Sequence, residues 1–580
     1  MGWHSILTDK EIIKKLFYIL KPYKKDMIII FICLLISILF NLCLPILNKD
    51  IMDKGFMNQD FKLLLILVMV MTILKLLNNI LEFYKEKKRI YIAANIKYRL
   101  SKKAFEHMLK VKLDKINSTN IGEFMNNMEV DIMNISNIMD SSMFFMITQI
   151  FSILGSLIGL FILSPTLTIF VLLFIPLKYK IVKRVSEHKS DITNHYIEVQ
   201  SEYAKWLYDT LSGLEEIRLF HIEHYKKKQF ENKQSKIITD QLKLGKLEQF
   251  NVSVDTILID SLITILYIVG ANLVFHMKLS VGSIFAFITY TTYVTTPISS
   301  ILDIRCYLSG IIPSAKRFYK FLSWEEEESG QNHICDVNEI TFENLGFRYD
   351  ENSNFVLSNI FFKIPQNGKL ALIGVNGSGK TTLVQLLLRF YKPTNGSIKL
   401  NGKDIQSYDL IEYRNLFSVV SQEIYLFDDS IYNNICLYKD IQNETYEMAI
   451  KDSGLQEVID LKGSDYIIGT NGEYLSGGQK QRLALARALV QDSPIFIFDE
   501  ATSNVDTFID IQLKKLFQDR LKNKIVIVIT HQVEVLEYVD SIITLNHGKI
   551  IEEGALKDLK KTSAILNHML KDRRNISDKS

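Results

Sequence analysis

Eight residues in the second half of the chain have the composition of a loop that holds phosphate. The stretch "GVNGSGKT" (374–381) fits the pattern G-x-x-x-x-G-K-[ST], between a strand-like "KLALIGV" and a helix-like "TTLVQLLLRF". Its glycines let backbone N–H groups approach phosphate oxygens closely. We expect Lys380 to reach the β- and γ-phosphates and the Thr381 hydroxyl to bind Mg²⁺. The pattern therefore predicts a nucleotide site formed by Gly374, Asn376, Gly377, Ser378, Gly379, Lys380, Thr381 and Thr382.

Two further strand-like runs end in residues suited to hydrolysis. "SPIFIFDEATS" leads an apolar run into Asp499 and Glu500, and "KIVIVIT" is followed by His531. Asp499 suits a water-mediated hold on Mg²⁺, and Glu500 can polarise a water for in-line attack on the γ-phosphorus. The His531 imidazole can meet the γ-phosphate or the attacking water. Each motif alone also fits an acidic turn or a surface histidine, but beside a phosphate loop they predict catalysis by Glu500, His531 and Lys380.

The stretch "LSGGQKQR" (475–482) is a second candidate anion site. A Ser-Gly-Gly turn that opens a helix points unsatisfied N–H groups and the positive end of the helix dipole at one spot. One such turn alone is a weak signal, so its meaning depends on the rest of the chain.

The elements that must position these residues lie in a chain of uneven composition. Up to about Ser323 the chain has several long apolar stretches, and after it the pattern is that of a soluble α/β protein. The acidic "WEEEESGQNH" indicates a solvated boundary. We predict an interfacial N-terminal helix (1–26), a transmembrane domain with long cytoplasmic helical extensions (27–310), a linker (311–336) and a nucleotide-binding domain (337–580). The net charge of +3 is nearly neutral, so no nucleic-acid partner is expected.

Six apolar stretches in the first half are candidate membrane spans, since a helical span needs about 20 mostly apolar residues. Any one of them alone could be a buried core helix, but six within about 300 residues predict a membrane domain. The candidates are Met27–Leu47, Leu63–Phe83, Met143–Leu163, Leu167–Val182, Ser253–Phe275 and Val281–Ile301. The fourth is the shortest, and we expect the lysines near its end, Lys178 among them, to extend to the membrane interface.

The charges of the connections predict the orientation of these spans. Long connections rich in lysine and arginine, "KEKKRIYIAANIKYRLSKK" and "KIVKRVSEHK", follow the second and fourth spans. The connections on the other side are short and carry little positive charge. The positive-inside rule therefore places the long connections, both termini and the nucleotide-binding domain in the cytoplasm.

The long connections are patterned as helices rather than loops. The stretch from Lys183 to Asn251, folded as two helices, would reach about 45–50 Å beyond the membrane at 1.5 Å per residue. Near the predicted tips stand "DKINSTNIGE" (114–123) and "LYDTLSGLEEIRLF" (207–220), where a soluble partner can dock.

Charged residues within the predicted spans are candidates for a substrate pathway. By helical rise Lys75 and Asp260 lie at similar depth, about 20–24 Å from the outer surface. They could form a buried ion pair along the pathway, or each could face water in an open cavity without a partner. Asp255 is expected nearer the cytoplasmic end.

Taken together, these motifs closely resemble those of ATP-binding cassette (ABC) proteins. The order of a phosphate loop, "LSGGQKQR" and "FIFDEATSNVD" is the signature arrangement of the family. With six spans in front, roughly residues 10–570 resemble a half-size ABC exporter. The resemblance implies an α-helical six-span membrane domain followed by an α/β P-loop domain with a RecA-like core and with helical and antiparallel β subdomains.

The resemblance also implies roles for individual residues. The signature turn would close over ATP bound to the phosphate loop of a second copy of the chain, through Ser476, Gly477, Gly478 and Gln479. Tyr349 resembles the aromatic residue that stacks on adenine. Gln422 resembles the glutamine that, with Thr381 and Asp499, holds Mg²⁺. Coupling between the membrane helices and the ATP sites is implied for Gly122, Gly213 and Asp506.

Three positions depart from the family pattern. Thr470 stands where these exporters usually carry an acidic residue that contacts a coupling turn, which would weaken or reroute that contact. Asn504 replaces a more common alanine, and Ser421 replaces the proline before Gln422; we expect both changes to be tolerated. The catalytic set is intact, so an identical partner would give two competent sites.

The sequence therefore predicts an ATP- and Mg²⁺-dependent exporter in the cytoplasmic membrane, working by alternating access in a homodimer. Its cargo would be a small hydrophobic or amphipathic compound, namely a drug, a lipid or a small peptide. The alternatives are a dedicated antimicrobial-peptide exporter, one half of a heterodimer, and a non-transporting ATP-gated regulator.

Overall fold

The chain folds into two compact units, seen in a computed structural model. The structure describes residues 9–117, 121–139, 141–302, 304–351, 353–499 and 515–562. One unit comprises Met1–Leu109 and Ile121–Ser323, and the other comprises Lys110–Asn120 and Trp324–Ser580.

The described residues of the first unit form helices joined by short turns, as the apolar first half predicts. The helices of this half of the chain are α1 (Asp9–Leu20), α2 (Lys24–Asp50), α3 (Phe61–Met108), α4 (Leu113–Asn117), α5 (Ile121–Ser136), α6 (Ser141–Leu163), α7 (Pro165–Ser212), α8 (Leu214–Leu219), α9 (Glu223–Phe275), α10 (Val281–Thr295), α11 (Pro297–Leu302) and α12 (Ile304–Phe321). Of these, α4 belongs to the second unit.

The three short connections predicted on the outer side each end in a helix N-cap. Asp60 accepts a hydrogen bond from the Leu63 amide at the start of α3. Ser164 caps α7, with Pro165 at the first helical position, and Ser280 caps α10. A capping oxygen satisfies one of the amides that a helix start leaves without a partner. These residue types therefore set where three of the helices begin.

Each of the first five predicted spans lies in one helix, and four helical stretches among the described residues are long and apolar enough to cross a membrane. They are Glu11–Phe56, Phe61–Met108, Pro165–Val185 and Glu223–Phe275. The third predicted span contains a shorter apolar stretch, Thr148–Leu163. The sixth is interrupted at Thr296 between α10 and α11. Pro297 explains the interruption, because it has no N–H to donate and its ring collides with the carbonyl four residues earlier.

The helical interpretation of the long connections is confirmed. Helices α7 and α9 have 48 and 53 residues, and they continue without interruption from the predicted spans to the turn that carries α8. They pack against each other, and the Trp206 indole N–H donates to the Gln229 amide oxygen at 3.2 Å. The two helices and the short α8 therefore form one continuous hairpin.

The structure does not form the possible Lys75–Asp260 ion pair. Both side chains are exposed, on α3 and α9, and no ion pair joins them in the described part of the chain. Similar depth along two helices does not fix which way their side chains face. Lys178 instead pairs with Asp255 at 2.7 Å and is fully buried, so the expectation that Lys178 extends to the interface was wrong.

A further charged contact, between Arg317 and Asp131, joins helices α5 and α12. The Arg317 guanidinium donates to both carboxylate oxygens of Asp131, with Nε–Oδ2 at 2.9 Å, and the Asp131 side chain is buried. The Asn134 amide donates to Ser314 Oγ at 3.0 Å between the same helices. The amphipathic α1 packs on α12 as well, with Ile12 and Leu16 buried.

The second unit contains two sheets. Its strands are β1 (Glu339–Phe347), β2 (Leu357–Pro365), β3 (Lys369–Gly374), β4 (Asn395–Leu400), β5 (Lys403–Asp404), β6 (Phe417–Val420), β7 (Ile495–Asp499), β8 (Ile525–Ile529), β9 (Ser541–Asn546) and β10 (Lys549–Gly554). The order β2-β1-β4-β5 forms an antiparallel sheet. The order β10-β9-β3-β8-β7-β6 forms a sheet that is parallel except for β10.

Strands β7 and β8 are buried on both faces, which explains their nearly continuous apolar sequence. Phe496, Phe498, Val526 and Val528 pack into one hydrophobic cluster, which includes residues of the "LSGGQKQR" helix. Ile495, Ile497, Ile525 and Ile527 pack into another, with the helix that follows the phosphate loop. Successive side chains alternate between the two faces, so the sheet is sandwiched between both clusters.

We predict that Arg317→Ala lowers the stability of the helical unit by about 1–2 kcal/mol, because the buried Asp131 carboxylate loses its charged donor while Arg317 itself is partly exposed. Thermal unfolding of the purified full chain in detergent measures the effect. Lys320→Ala, which removes an exposed cation from the same helix, is the matched control and should change stability by less than about 0.5 kcal/mol. Equal unfolding temperatures for the two variants would contradict the assigned role of Arg317.

Candidate functional site

The phosphate loop connects β3 to the helix Lys380–Leu387, which we call α13. Gly374 has φ +152°, and a Cβ there would lie 2.1 Å from the Leu545 carbonyl oxygen. Gly379 has φ +101° at the start of α13, and a Cβ there would lie 2.6 Å from Leu357 Cδ2. The loop can therefore take this path only with glycine at both positions, which is the structural reason for the motif.

Two side chains show that the loop is suited to an anion. The Lys380 ammonium donates to the carbonyl oxygens of Gly374 at 2.9 Å and Val375 at 3.2 Å, so the side chain folds back over the loop. Ser378 is buried, and among the residues that the structure describes its hydroxyl oxygen has no hydrogen-bond partner. A buried hydroxyl normally has a partner, so a phosphate oxygen would satisfy a group that the folded chain leaves unpaired. Both residues fit the predicted nucleotide.

The other predicted nucleotide contacts have different degrees of exposure. In the loop, Asn376 and Gly377 are exposed, whereas Thr382, on the first turn of α13, is buried. Thr381 is exposed, so its hydroxyl is accessible to a ligand outside the helix.

The parallel sheet brings the hydrolytic candidates to one edge. Leu372 of β3 is paired with Ile529 of β8, and Ile529 is paired with Asp499 of β7. The phosphate loop, Asp499 and the segment after β8 that holds His531 therefore follow the carboxyl ends of adjacent strands, where ligands bind in open α/β sheets. Strand β6 comes next to β7 and leads into Gln422.

The donors at this edge suit Mg²⁺. Thr381, Gln422 and Asp499 supply a hydroxyl, an amide carbonyl and a carboxylate, and hard divalent cations take oxygen ligands of these kinds. Asp499 is buried at the end of its strand, while Gln422 and His531 are exposed. Glu500 and Asp506, predicted as the catalytic base and a coupling residue, lie outside the described residues, as does Asn504.

Tyr349 lies beside the phosphate-loop helix. Its hydroxyl is 3.0 Å from the Thr382 hydroxyl and 3.3 Å from Gln385 Oε1. Its ring makes an edge-on contact with the ring of Tyr391, with centroids 5.2 Å apart, and is about half exposed. An exposed aromatic face next to the phosphate loop is compatible with stacking of a nucleotide base.

A cavity of about 230 Å³ borders Tyr349. Its lining combines aromatic rings with basic groups, including Arg348, Arg389, Tyr391 and Lys112. Lys112 precedes α4, and its ammonium bonds Glu325 at 2.6 Å, which raises the pKa of Lys112 above its ordinary value. Sequence reasoning placed this segment at a helix tip but gave no sign of its pairing with residue 325.

The signature turn lies at the start of the helix Gly477–Gln491, which we call α18. The helices between α13 and α18 are α14 (Leu410–Arg414), α15 (Ile431–Cys436), α16 (Asn443–Ser453) and α17 (Gln456–Lys462). Ser476 and Gln479 form a reciprocal capping box, in which each side chain accepts a hydrogen bond from the backbone amide of the other. A Cβ added at Gly477 or Gly478 would meet no atom within 4 Å. The start of the helix is therefore open to an anion from outside, within the part of the chain that the structure describes.

Two basic side chains on α18, which sequence reasoning missed, hold neighbouring segments in place. Arg487 donates to the carbonyl oxygens of Asn434 at 2.8 Å and Tyr425 at 3.0 Å, just beyond Gln422. Burial lowers the pKa of the Arg487 guanidinium. Lys480 donates to the Asn471 carbonyl at 2.8 Å, next to Thr470. The signature helix is thus tied to the segment that follows Gln422 and to the segment of Thr470.

The predicted coupling glycines lie at different places in the helical unit. Gly122 falls within α5, and Gly213 ends α7. Helix α8, which follows Gly213, and the residue after it have three exposed apolar side chains, Leu214, Leu219 and Phe220. Thr470, in the second unit, is also exposed.

Comparison with known families accounts for both units. Residues 27–298 match the model of the ABC transporter transmembrane region, and residues 357–503 match the model of the ABC transporter domain itself. Together the two models account for most of the chain, in the order that the sequence motifs predict.

Individual relatives match along nearly the whole length. The chain is 27% identical to the ATP-dependent lipid A-core flippase of Desulfotalea psychrophila over 562 residues, covering 96% of this chain and 98% of that protein. It is 26% identical to the flippases of the same name from Haemophilus influenzae and Salmonella typhimurium, over 94% or more of each chain. Its fold matches the solved structure of a bacterial Atm1-family ABC exporter with ATP bound, with a TM-score of 0.81, 21% identity and coverage of 95% of this chain and 98% of that one.

The chain belongs to the ABC transporter family and is a half-size exporter, with one transmembrane region followed by one ATP-binding domain. It is a multi-pass membrane protein, and its activity is ATP hydrolysis coupled to transport. The predicted family, fold class and enzyme class are therefore confirmed.

We predict opposite effects for two buried serines. Ser378→Ala removes a hydroxyl without a partner, so stability without nucleotide should stay equal or rise by up to about 1 kcal/mol, while the affinity for ATP falls about five- to tenfold. Ser453→Ala, the control in α16, loses a bond to the Ile450 carbonyl; we expect a stability loss of about 1 kcal/mol with unchanged affinity. The measurement is the thermal shift produced by ATP and Mg²⁺ in a Glu500→Gln background. A full ATP-induced shift in Ser378→Ala would contradict the role of this hydroxyl.

Proposed function

We propose that this chain exports or flips an amphipathic, lipid-like molecule across the cytoplasmic membrane, driven by ATP, as a homodimer. The observation that carries the proposal is the length of the similarity: relatives that match over 94–98% of their own chains are named lipid A-core flippases. The similarity includes the transmembrane region, where cargo must bind, as well as the ATP-binding domain.

A dimer follows from the two open halves of the ATP site. Within the described ranges, the phosphate loop has a buried hydroxyl without a partner, and the start of the helix at Ser476–Gly478 is not covered. In the proposed dimer each phosphate loop faces the signature turn of the other chain. Bound ATP then completes both halves, which favours association of the two domains.

Hydrolysis would use the residues at the carboxyl edge of the sheet. Lys380 neutralises charge on the β- and γ-phosphates, and Thr381, Gln422 and Asp499 hold Mg²⁺, which compensates the charge that develops on the phosphates. Glu500 orients the attacking water and accepts its proton, and His531 donates a hydrogen bond toward the γ-phosphate. Repulsion between the products then favours separation of the dimer.

Transport requires that the membrane helices respond to this cycle. We propose that the hairpin tips near Gly122 and Gly213, together with the Asp506 segment, link the ATP sites to the spans. Cargo moves because its affinity differs between the inward- and outward-facing states. In the proposed orientation both termini and the ATP-binding domain lie in the cytoplasm, on the side of the lysine-rich connections.

Other cargo and assemblies remain outcomes of the test. Drug-like dyes and small cationic peptides are the other cargo classes that the sequence analysis left open, and one half of a heterodimer would need a different partner. The lipid proposal is favoured over these because the full-length relatives carry lipid in their names.

The deciding experiment is ATP-dependent translocation in proteoliposomes that contain only this chain. A fluorescent headgroup-labelled lipid, a lipophilic cationic dye and a labelled cationic peptide are compared in parallel. We expect ATP to translocate the lipid at least about threefold faster than in the Glu500→Gln variant, whose catalytic carboxylate is lost.

The pattern across the three probes decides the cargo class. Dye or peptide transport without lipid movement would replace the lipid proposal with a drug or peptide exporter. ATP hydrolysis without movement of any probe would favour a regulator, and an inactive chain that runs as a monomer would favour a heterodimer.

The composite ATP site is tested by mixing two inactive variants. Lys380→Ala disables the phosphate loop, and Ser476→Arg blocks the signature turn. A mixed dimer retains one intact site if the turn acts on the partner's nucleotide and none if it acts on its own. We therefore expect the mixture to occlude about one ATP per mixed dimer, whereas each variant alone occludes none. Absence of occlusion in purified, differently tagged mixed dimers would contradict the trans arrangement.

A further inference from the structure

The interruption of the sixth predicted span leaves a backbone group that needs a partner inside the membrane segment. Helix α10 ends at Thr295, and α11 begins at Pro297. The last four carbonyls of a helix have no partner within that helix. In the hydrocarbon region no water is available, so such a carbonyl must bond to another part of the protein.

Lys178 supplies this partner from another helix. Its ammonium donates to the Thr295 carbonyl oxygen at 2.7 Å, and the side chain is 0% exposed. A positive charge at the carboxyl end of a helix also interacts favourably with the helix dipole. Lys178, on α7, therefore caps α10 at the point where the sixth span breaks.

Asp255, on α9, balances the charge of Lys178. The Asp255 carboxylate lies 2.7 Å from the Lys178 ammonium and accepts a hydrogen bond from the Ser299 hydroxyl at 2.9 Å. Ser299 belongs to α11, on the other side of the break. The pair thus contacts both sides of the interruption and connects it to α7 and α9.

Stability alone is a weak reason for such a pair. A buried ion pair costs desolvation and can often be replaced by apolar residues without loss of stability. Charged groups inside predicted spans also tend to mark functional positions. Helices α7 and α9 form the hairpin that carries α8, while α10 and α11 precede α12, which ends near the carboxyl boundary of the helical unit.

We propose that Lys178 and Asp255 are positioning residues for transport, which hold the sixth span broken at Thr296 so that it bends with the α7–α9 hairpin. Lys178 fixes the end of α10, and Asp255 fixes the start of α11 through Ser299. When ATP binding moves the hairpin, the two segments of the span change their angle at Thr296 instead of moving as one rod. The inference rests on ATP-driven transport by this family member, which is also the basis of the proposed function, but not on the class of cargo.

The test separates stability from coupling by a double-mutant cycle. Lys178→Met keeps the length of the side chain without its charge, and Asp255→Asn keeps the hydrogen bond from Ser299 without the negative charge. The double variant contains no unpaired buried charge but cannot cap Thr295. Lys180→Met, at an exposed position two residues along α7, is the matched control, and Lys178→Arg is the conservative variant.

Three quantities are measured on the full chain: the unfolding temperature, the basal ATPase rate, and the ATP-induced change in hydrogen exchange of peptides within residues 290–302. The exchange measurement uses a Glu500→Gln background, in which bound ATP is not hydrolysed. Because ATP is the only ligand added, the measurement does not depend on any cargo. Translocation of the fluorescent lipid is added where the wild type supports it.

We expect both single variants to unfold at lower temperature and the double variant to recover part of that loss, because the uncompensated charge is gone while the Thr295 carbonyl still lacks its donor. The double variant should keep its basal ATPase rate within about twofold of the wild-type rate. ATP should no longer change its hydrogen exchange, and its rate of lipid translocation should fall about tenfold. Lys178→Arg should retain the exchange change, and Lys180→Met should match the wild type.

A double variant with a wild-type ATP-induced exchange change would overturn the proposal, because the response would then not need the pair. A Lys178→Met variant that cannot be distinguished from Lys180→Met would overturn it as well. A wild type that shows the exchange change but moves no lipid would refute the proposed cargo while leaving this inference supported.

Discussion

The pairing of three parallel strands is the constraint on which the ATP-binding unit depends. Strand β8 pairs with both β3 and β7, in a register that aligns Leu372, Ile529 and Asp499. This register brings the phosphate loop, Asp499 and the segment of His531 to one edge, although more than a hundred residues of sequence separate the loop from Asp499. A slip of one residue would turn every side chain of a strand to the opposite face and remove both buried clusters. The positions of the candidate ATP-site residues at this edge therefore depend on the packing of the isoleucine, valine and phenylalanine side chains of the same strands.

The features that could be predicted from the sequence are those that depend on short stretches of chain. The phosphate loop, its strand and its helix lie within about twenty residues, and their glycines are required by local backbone geometry at Gly374 and Gly379. The long α7–α9 hairpin was predictable for the same reason, because helical patterning continues through each segment. The roles of the nucleotide-site residues remain predictions, and Glu500 lies outside the described residues.

The features that escaped prediction depend on which helix faces which. For Lys75 and Asp260 two alternatives stayed open, an ion pair or no pairing, because depth along a helix leaves its rotation undetermined; both side chains are exposed. Lys178 was assigned to the interface because lysine side chains are long, yet it is fully buried by contacts with residues more than seventy positions away. Arg487 gave no motif-level signal either, since its partners are backbone carbonyls. The sixth span was predicted as continuous from Val281 to Ile301, so neither its interruption before Pro297 nor the bond from Lys178 to the Thr295 carbonyl was predicted.

The unbroken length of α7 and α9 has a mechanical consequence. At 1.5 Å per residue the 53 residues of α9, which include no proline, extend about 80 Å. A straight rod of that length converts a tilt of about 5° at one end into a displacement of about 7 Å at the other. A small change in the tilt of the packed spans therefore moves α8, at the tip of the hairpin, by several ångströms. Such a displacement is wide enough to open a contact at the tip.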